Sequence, residues 1–187
     1  MAVTGWKYAG TIVDDSSVGS YTWTNPGNAG ADDNSYAEID ALPPGATSHR
    51  LKATNFGFTT GDVPSGKVID GIEVECGRFR TSGATVVTTT YYQLYKGGSL
   101  TGSAKTTSGD WPTAEAGDLK GGSADLWSGS FSDSDIRNSG FGVGVYYFCT
   151  TGPPAPFPGV YHRVDWTRIR VYYSDPPASS RKRHHNT

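Results

Sequence analysis

The run from Val68 to Gly77 constrains the fold more than any other part of the chain. Val68, Asp70, Ile72, Val74 and Cys76 share one parity, and Ile69, Gly71, Glu73, Glu75 and Gly77 share the other. From Ile72 onward the pattern is apolar on one side and acidic on the other, the mark of a strand in a sheet with one solvated face. The same period-two alternation appears from Tyr36 to Leu42, where Ala37, Ile39 and Ala41 alternate with Tyr36, Glu38 and Asp40, and Pro43-Pro44-Gly45 ends it. Leu51 to Phe58 resumes extended chain. Val86 to Tyr95 is too rich in β-branched and aromatic residues for a helix, and Lys96-Gly97-Gly98 turns it.

Phe141 to Cys149 reads as a buried strand, with Phe141, Val143 and Val145 on one face and glycines opposite. The last strand, Val160 to Tyr173, changes phase midway, which predicts a β-bulge near Thr167. Only Ser132 to Arg137 carries a helix start, and no helix longer than about two turns is expected. Residues 97–125 are a Gly/Ser/Thr/Asp stretch around Trp111-Pro112. A segment of that length is either an excursion packed on a neighbour or a concealed strand pair. Gly152 to Gly159, rich in proline, reads as a rigid loop.

Gly, Ser and Thr make up about a third of the 187 residues, and Met occurs once, which argues against a helical bundle. Together these features predict an all-β fold, an antiparallel β-sandwich of jelly-roll type. The expected organisation is an N-terminal arm at 1–20, a sandwich at 21–174 and a basic tail at 175–187. Neither end carries the periodicity of a core element, so both are expected to be extended arms that order on a neighbouring subunit. Trp6 and Tyr8 would be apolar anchors at one end; Arg181, Lys182 and Arg183 would meet acidic groups at the other.

A formal charge of −2 argues against electrostatic capture of nucleic acid by the whole domain, and three fixed charges in the tail give only a weak footprint. No apolar run approaches a transmembrane helix, and the N-terminal residues lack the pattern of a secretory signal. Cys76 and Cys149 have no metal-ligand spacing and are expected to be buried thiols, with a cross-strand disulfide as the alternative.

Candidate chemistry is sparse. Glu38 with Asp40, and Glu73 with Glu75, are carboxylate pairs two apart on a strand face, a pattern that a solvated sheet face also produces. His49 and His162 each adjoin an arginine, and no nucleophile elbow or phosphate-binding loop is present. Asp14-Asp15, Asp32-Asp33-Asn34 and Asp133 with Asp135 are oxygen-rich loops able to bind Ca²⁺, but no EF-hand pattern accompanies them. Asp165, within a strand, reads equally as structural or as interfacial. No cofactor, metal site or catalytic residue is assigned. Trp6, Trp23, Trp111, Trp127 and Trp166 supply material either for a core or for stacking on sugars.

The punctuation of the chain resembles structural proteins of tailed bacteriophages and prophages. The resemblance runs from Trp23-Thr24-Asn25-Pro26-Gly27-Asn28-Ala29 and Asp33-Asn34-Ser35-Tyr36-Ala37 through Leu51, Phe56-Gly57-Phe58, Val63-Pro64 and Ile69 to Val74. It returns at Trp127, Asp135-Ile136, Phe141-Gly142-Val143, and Val164-Asp165 to Val171-Tyr172-Tyr173, spanning about residues 20–174. The family more often has Asp-Gly where this chain has Asp33-Asn34, and the tail lies outside the pattern. The resemblance implies a non-enzymatic virion protein made in the host cytoplasm. It would be a capsid decoration protein on the head exterior, or else a tail or neck component, bound to the major capsid protein or other virion subunits, with a homo-oligomer, a trimer by analogy, as its expected state. A carbohydrate-binding adhesion module is the alternative.

Overall fold

A computed structural model of the chain describes residues 1–81, 86–152 and 159–178. Its strands are β1 (Ala2–Val3), β2 (Lys7–Tyr8), β3 (Thr11–Asp15), β4 (Ala37–Asp40), β5 (Arg50–Thr54) and β6 (Val68–Arg80). They continue with β7 (Val87–Lys96), β8 (Ser99–Asp110), β9 (Ala116–Gly121), β10 (Gly142–Thr151) and β11 (Tyr161–Ser174). The helical elements among the described residues are a 3-10 turn at Pro26–Ala29 and a single turn, α1, at Asp133–Ile136. Ser132 and Asp135 close a reciprocal capping box on α1, which explains why so short a helix forms at all.

Strand pairing is antiparallel and nested. The outermost pair, β4 with β11, encloses β5 with β10, then β6 with β9, then the hairpin β7–β8. Pairing of β11 with β6 and of β10 with β7 rolls this long ribbon into two sheets. Sheet A runs β4–β11–β6–β9, and sheet B runs β3–β5–β10–β7–β8. That order is the jelly roll expected from the strand spacing.

The inward faces follow the predicted parity. Ile72, Val74 and Cys76 of β6 meet Leu94 of β7, Val143 and Val145 of β10, and Ile169 and Val171 of β11, all in one core. Trp23, Trp111 and Trp127 are at most 2% exposed, so three of the five indoles fill the interior. Trp127 donates its indole N–H to the Ile72 carbonyl, and Trp111 donates to Thr90 Oγ1, so neither polar edge is stranded.

Four expectations are changed or decided. Residues 1–15 are extended, but they do not reach away. β1 and β2 pair with β11, and β3 adds an outer strand to sheet B beside β5. The Thr4 and Ala9 amides donate to the carbonyls of Val171 and Thr167. Two-residue strands have no period to detect, and their order comes from β11 rather than from themselves. Second, the strand from Leu51 stops at Thr54, because Asn55 (φ 56°) and Gly57 (φ 68°) are left-handed and break the ladder. Third, residues 97–125 contain β8 and β9, the concealed strand pair. Both are edge strands, one per sheet, so much of each faces solvent and the apolar signal is missing. Fourth, the bulge in β11 falls at Asp165: Val164 pairs with Arg78 and Trp166 with Gly77, leaving Asp165 unpaired between them. The loop read at Gly152–Gly159 and the tail from Ser179 lie largely outside the described residues. Residues 175–178 are exposed coil, with Asp175 ion-paired to Lys67.

Candidate functional site

Three places concentrate polar or aromatic side chains. The first is the outward face of sheet A, where β11 carries Trp166, Arg168, Arg170 and Tyr172. The Arg168 guanidinium lies 4.3 Å from the ring centre of Trp166 and 4.8 Å from that of Trp6. The Arg170 guanidinium lies 4.5 Å from Trp6 and 5.6 Å from Tyr172. Aromatic and cationic groups thus alternate in the order Trp166, Arg168, Trp6, Arg170, Tyr172. From β6, Glu75 accepts two hydrogen bonds from Arg168, at 2.9 and 2.6 Å, and Glu73 accepts from Arg170. Further along, Arg163 pairs with Glu38 at 2.9 Å and covers Tyr36. Three of the four carboxylates weighed as catalytic pairs, Glu38, Glu73 and Glu75, therefore lie along a row of ion pairs, whereas Asp40 is exposed.

Trp6 and Tyr8, expected as anchors for a neighbour, both lie on this face. Trp6 is half-buried between two arginines of its own chain, whereas Tyr8 is 37% exposed and its hydroxyl accepts from Arg168. Arg181, Lys182 and Arg183 lie outside the described residues.

The second place is the outward face of sheet B. Gly142 and Gly144 leave a trough in β10, and the Arg50 side chain lies across Gly144, where any Cβ would collide with it. The Arg50 guanidinium reaches Ser17 Oγ at 2.8 Å and stands 5.3 Å from the Tyr146 ring. Tyr146 and Tyr91 face each other across β10 and β7, their rings 4.8 Å apart and within 5° of parallel. Gln93 and Lys52 flank them, Lys52 lying over Tyr95. Shielding from solvent raises the Tyr146 and Tyr95 hydroxyls above the usual tyrosine range.

The third is an acidic cluster at the β11 bulge. One carboxylate oxygen each from Asp32, Glu115 and Asp165 lie within 4.8 Å of one another. Asp32 belongs to the loop after the 3-10 turn, Glu115 to the connection between β8 and β9. The loop is held to β11 by the Gly30–Trp166 bridge and by the Asn34 amide, which donates to Asp165 Oδ2 at 3.3 Å. The Trp166 indole N–H donates to Glu115 Oε1 at 2.8 Å. Burial, reinforced by neighbouring acidic charge, pushes the Asp165 and Glu115 carboxyls above their ordinary range. Asp32 was legible as part of an oxygen-rich loop. Glu115 was hidden in the stretch without apolar pattern, and the signal for Asp165 was a charged residue at the phase change of an apolar strand.

The histidines are held in the framework. His49 Nδ1 is 2.8 Å from Asp14 Oδ2. His162 is fully buried against Trp111 and Tyr147, and that burial pushes its pKa down to about 3. A cleft beside Tyr21, Thr24, Glu38, Asp40 and Tyr161 encloses about 120 Å³, below the roughly 300 Å³ of small-molecule sites.

No protein-family model matches the sequence, nor does any curated protein. Among solved structures, the chain is similar to the CBM22-1 xylan-binding domain of Xyn10C from Paenibacillus barcinonensis. Identity is 11% and the TM-score 0.40, over 92% of this chain and 88% of that one. A carbohydrate-binding module titled "BiXyn10A CBM1 APO" gives 10% identity and 0.38, over 88% of this chain and 99% of that one. A structure titled "CBM4 structure and function" gives 11% identity and 0.32, over 92% and 95%. At these similarities neither a family nor a ligand passes to this chain.

Proposed function

We propose that the chain is a non-enzymatic structural protein of a tailed-phage virion, a decoration protein on the head exterior bound to the major capsid protein or other virion subunits. The observation that carries the non-enzymatic part is the disposition of the groups weighed for catalysis. Glu38, Glu73 and Glu75 are each ion-paired to an arginine, and His49 and His162 are pinned in the framework. The virion part is supported by the ordered resemblance from Trp23 to Tyr173. Its residues fall on the sandwich framework: Trp23, Phe56, Phe58, Trp127, Phe141 and Val143 are all buried. With these residues committed to the core, attachment falls to the surface, including Tyr8 and the tail with Arg181, Lys182 and Arg183. Mass spectrometry of purified particles tests the reading: co-purification at a copy number matching capsid sites is expected, and absence from particles overturns it. Truncation after Ser174 tests the tail, with modestly weaker, less salt-dependent particle binding expected.

A carbohydrate-binding role is the second reading, favoured by one observation: the Tyr91–Tyr146 pair, half-exposed beside Gln93 and Lys52 on sheet B. Aromatic faces flanked by hydrogen-bonding groups suit pyranose rings. A glycan array decides it, with a signal lost in Tyr146→Ala expected and a flat array removing the reading.

A further inference from the structure

We propose that Asp32, Glu115 and Asp165 together bind a Ca²⁺ ion that ties three separate segments of the chain to the β11 bulge. Three carboxylates converge here, and no lysine, arginine or histidine pairs with any of them among the described residues. Elsewhere among the described residues twelve carboxylates share thirteen salt bridges, whereas here three unpaired ones converge, and such a convergence calls for a counter-charge from outside the chain.

Asp165 supplies the second, independent observation. The residue is 1% exposed. Its Oδ2 is satisfied by the Asn34 amide, but Oδ1 is buried without any hydrogen-bond partner. A buried carboxylate oxygen left bare loses its hydration and gains nothing in return. The bulge is what places it there. As the unpaired residue between Val164 and Trp166, Asp165 is turned out of the regular alternation of β11, which is how bulges re-aim side chains.

A shared proton is the simplest competitor, and the surroundings argue against it. One proton would neutralise only one of three converging charges, leaving two carboxylates facing each other without a counter-ion. The donor set is oxygen only, with no imidazole or thiolate, which selects a hard cation. Two of the three donors, Asp32 and Glu115, sit on exposed connections, so the set adapts to the larger, irregular shell of Ca²⁺ better than to the strict octahedron of Mg²⁺. Water and backbone carbonyls would complete the coordination. Bound there, the ion would fasten the 31–34 loop and the connection before β9 onto β11.

The test uses the full chain, stripped of metal with a chelator, and Ca²⁺ or Tb³⁺ as the probe. Trp166, hydrogen-bonded to one ligand, is placed to sensitise Tb³⁺ emission. Saturable Tb³⁺ luminescence excited through tryptophan and displaced by Ca²⁺ is expected, with a Tm that rises with Ca²⁺ concentration. Asp32→Asn, at an exposed position, should weaken Ca²⁺ binding by about tenfold or more, and Asp165→Asn should abolish it. If Asp165→Asn does not fold, Asp32→Asn alone decides. A Tm indifferent to Ca²⁺ up to about 10 mM, or luminescence unchanged in Asp32→Asn, overturns the site. An equal response to Mg²⁺ overturns the assignment to Ca²⁺.

Discussion

The guanidinium of Arg168 stands 4.8 Å from the ring centre of Trp6, joining the start of the chain to its last strand. Trp6 also meets Arg170 at 4.5 Å, so one indole holds two cations whose other sides are bonded to Glu75 and Glu73. Among the other side chains of the first eight residues only Thr4 is buried, its hydroxyl accepting from the Val171 amide, while Ala2, Val3 and Tyr8 are exposed. Trp6 is therefore the main fastening of β1 and β2.

Trp6→Ala removes two cation–π contacts, worth about 0.5–1 kcal/mol each at a partly exposed site, together with the area the indole covers. The expected loss is about 1–3 kcal/mol in urea titration with the sandwich intact. Amide exchange should speed up in residues 1–8 and little elsewhere. Unchanged exchange there would show that the backbone bonds of Thr4 and Ala9 suffice.

A second ionic centre lies between the sheets. Asp118 of β9 accepts from Arg78 at 2.9 Å, Tyr92 at 2.8 Å, Thr107 at 3.0 Å and Lys120 at 2.6 Å. Burial alone would raise its carboxyl, but the Arg78 and Lys120 charges hold it below the usual range. Asp118→Asn leaves Arg78, whose side chain is 7% exposed, without its counter-ion. Breaking a buried pair from one side costs about 3–5 kcal/mol. The double variant Arg78→Met with Asp118→Leu should recover most of that loss, and chemical denaturation of the three proteins measures both.

Legibility in the sequence followed burial. β6 was readable from Ile72 to Cys76 because its inner face is wholly apolar and its outer face acidic. β4 was readable for the same reason, and β10 because Val143 and Val145 alternate with Gly142 and Gly144. β8 and β9 were not, because an edge strand meets the core along only part of its length, and the inward residues of β9 are Asp118 and Lys120, partners in an ionic network rather than apolar fillers. β1 and β2 lacked any period. The acidic cluster draws on three segments far apart in sequence, and no local spacing announces such a convergence. The bulge was legible as a phase change, but which residue it freed became visible only with β6 laid alongside.

The two thiols should differ in how they are reached. Cys76 is fully buried in the middle of β6, and burial pushes its pKa up to about 12. Cys149 is also buried but lies near the end of β10, two residues before its last residue, Thr151. A thiol reagent attacks the thiolate and needs access. Cys149 should label through local fraying of β10, and Cys76 only at the rate of global opening. Mass-spectrometric labelling across sub-denaturing urea separates the two. Equal and rapid reaction of both in native buffer would contradict their placement.

The last prediction concerns acid. His162 is fully buried, its Nδ1 lies 3.2 Å from the Tyr147 hydroxyl, and its Nε2 has no partner. Burial, aided by the positive charges of Arg80 and Arg78, lowers its pKa from 6.5 to about 3. The rings packed against it, Trp111 and Tyr147, carry no charge at these pH values, so the charges that face it are those of Arg78 and Arg80 on β6. Between pH 6.5 and about 3 the unfolded chain therefore binds a proton that the folded chain does not. Unfolding free energy then rises with pH across that window and falls on acidification, by about 1.4 kcal/mol per unit for this one group. Ionised carboxylates such as Asp118 add their own acid loss, but only near and below their unfolded pKa of about 3.9. Between pH 6.5 and 5 the slope therefore belongs chiefly to histidine. His162→Phe keeps a ring against Trp111 and removes the titrating nitrogens. Urea midpoints measured from pH 7 to pH 5 should decline in the native protein and decline less steeply in His162→Phe. Identical slopes in the two would show that His162 takes up its proton in the folded state.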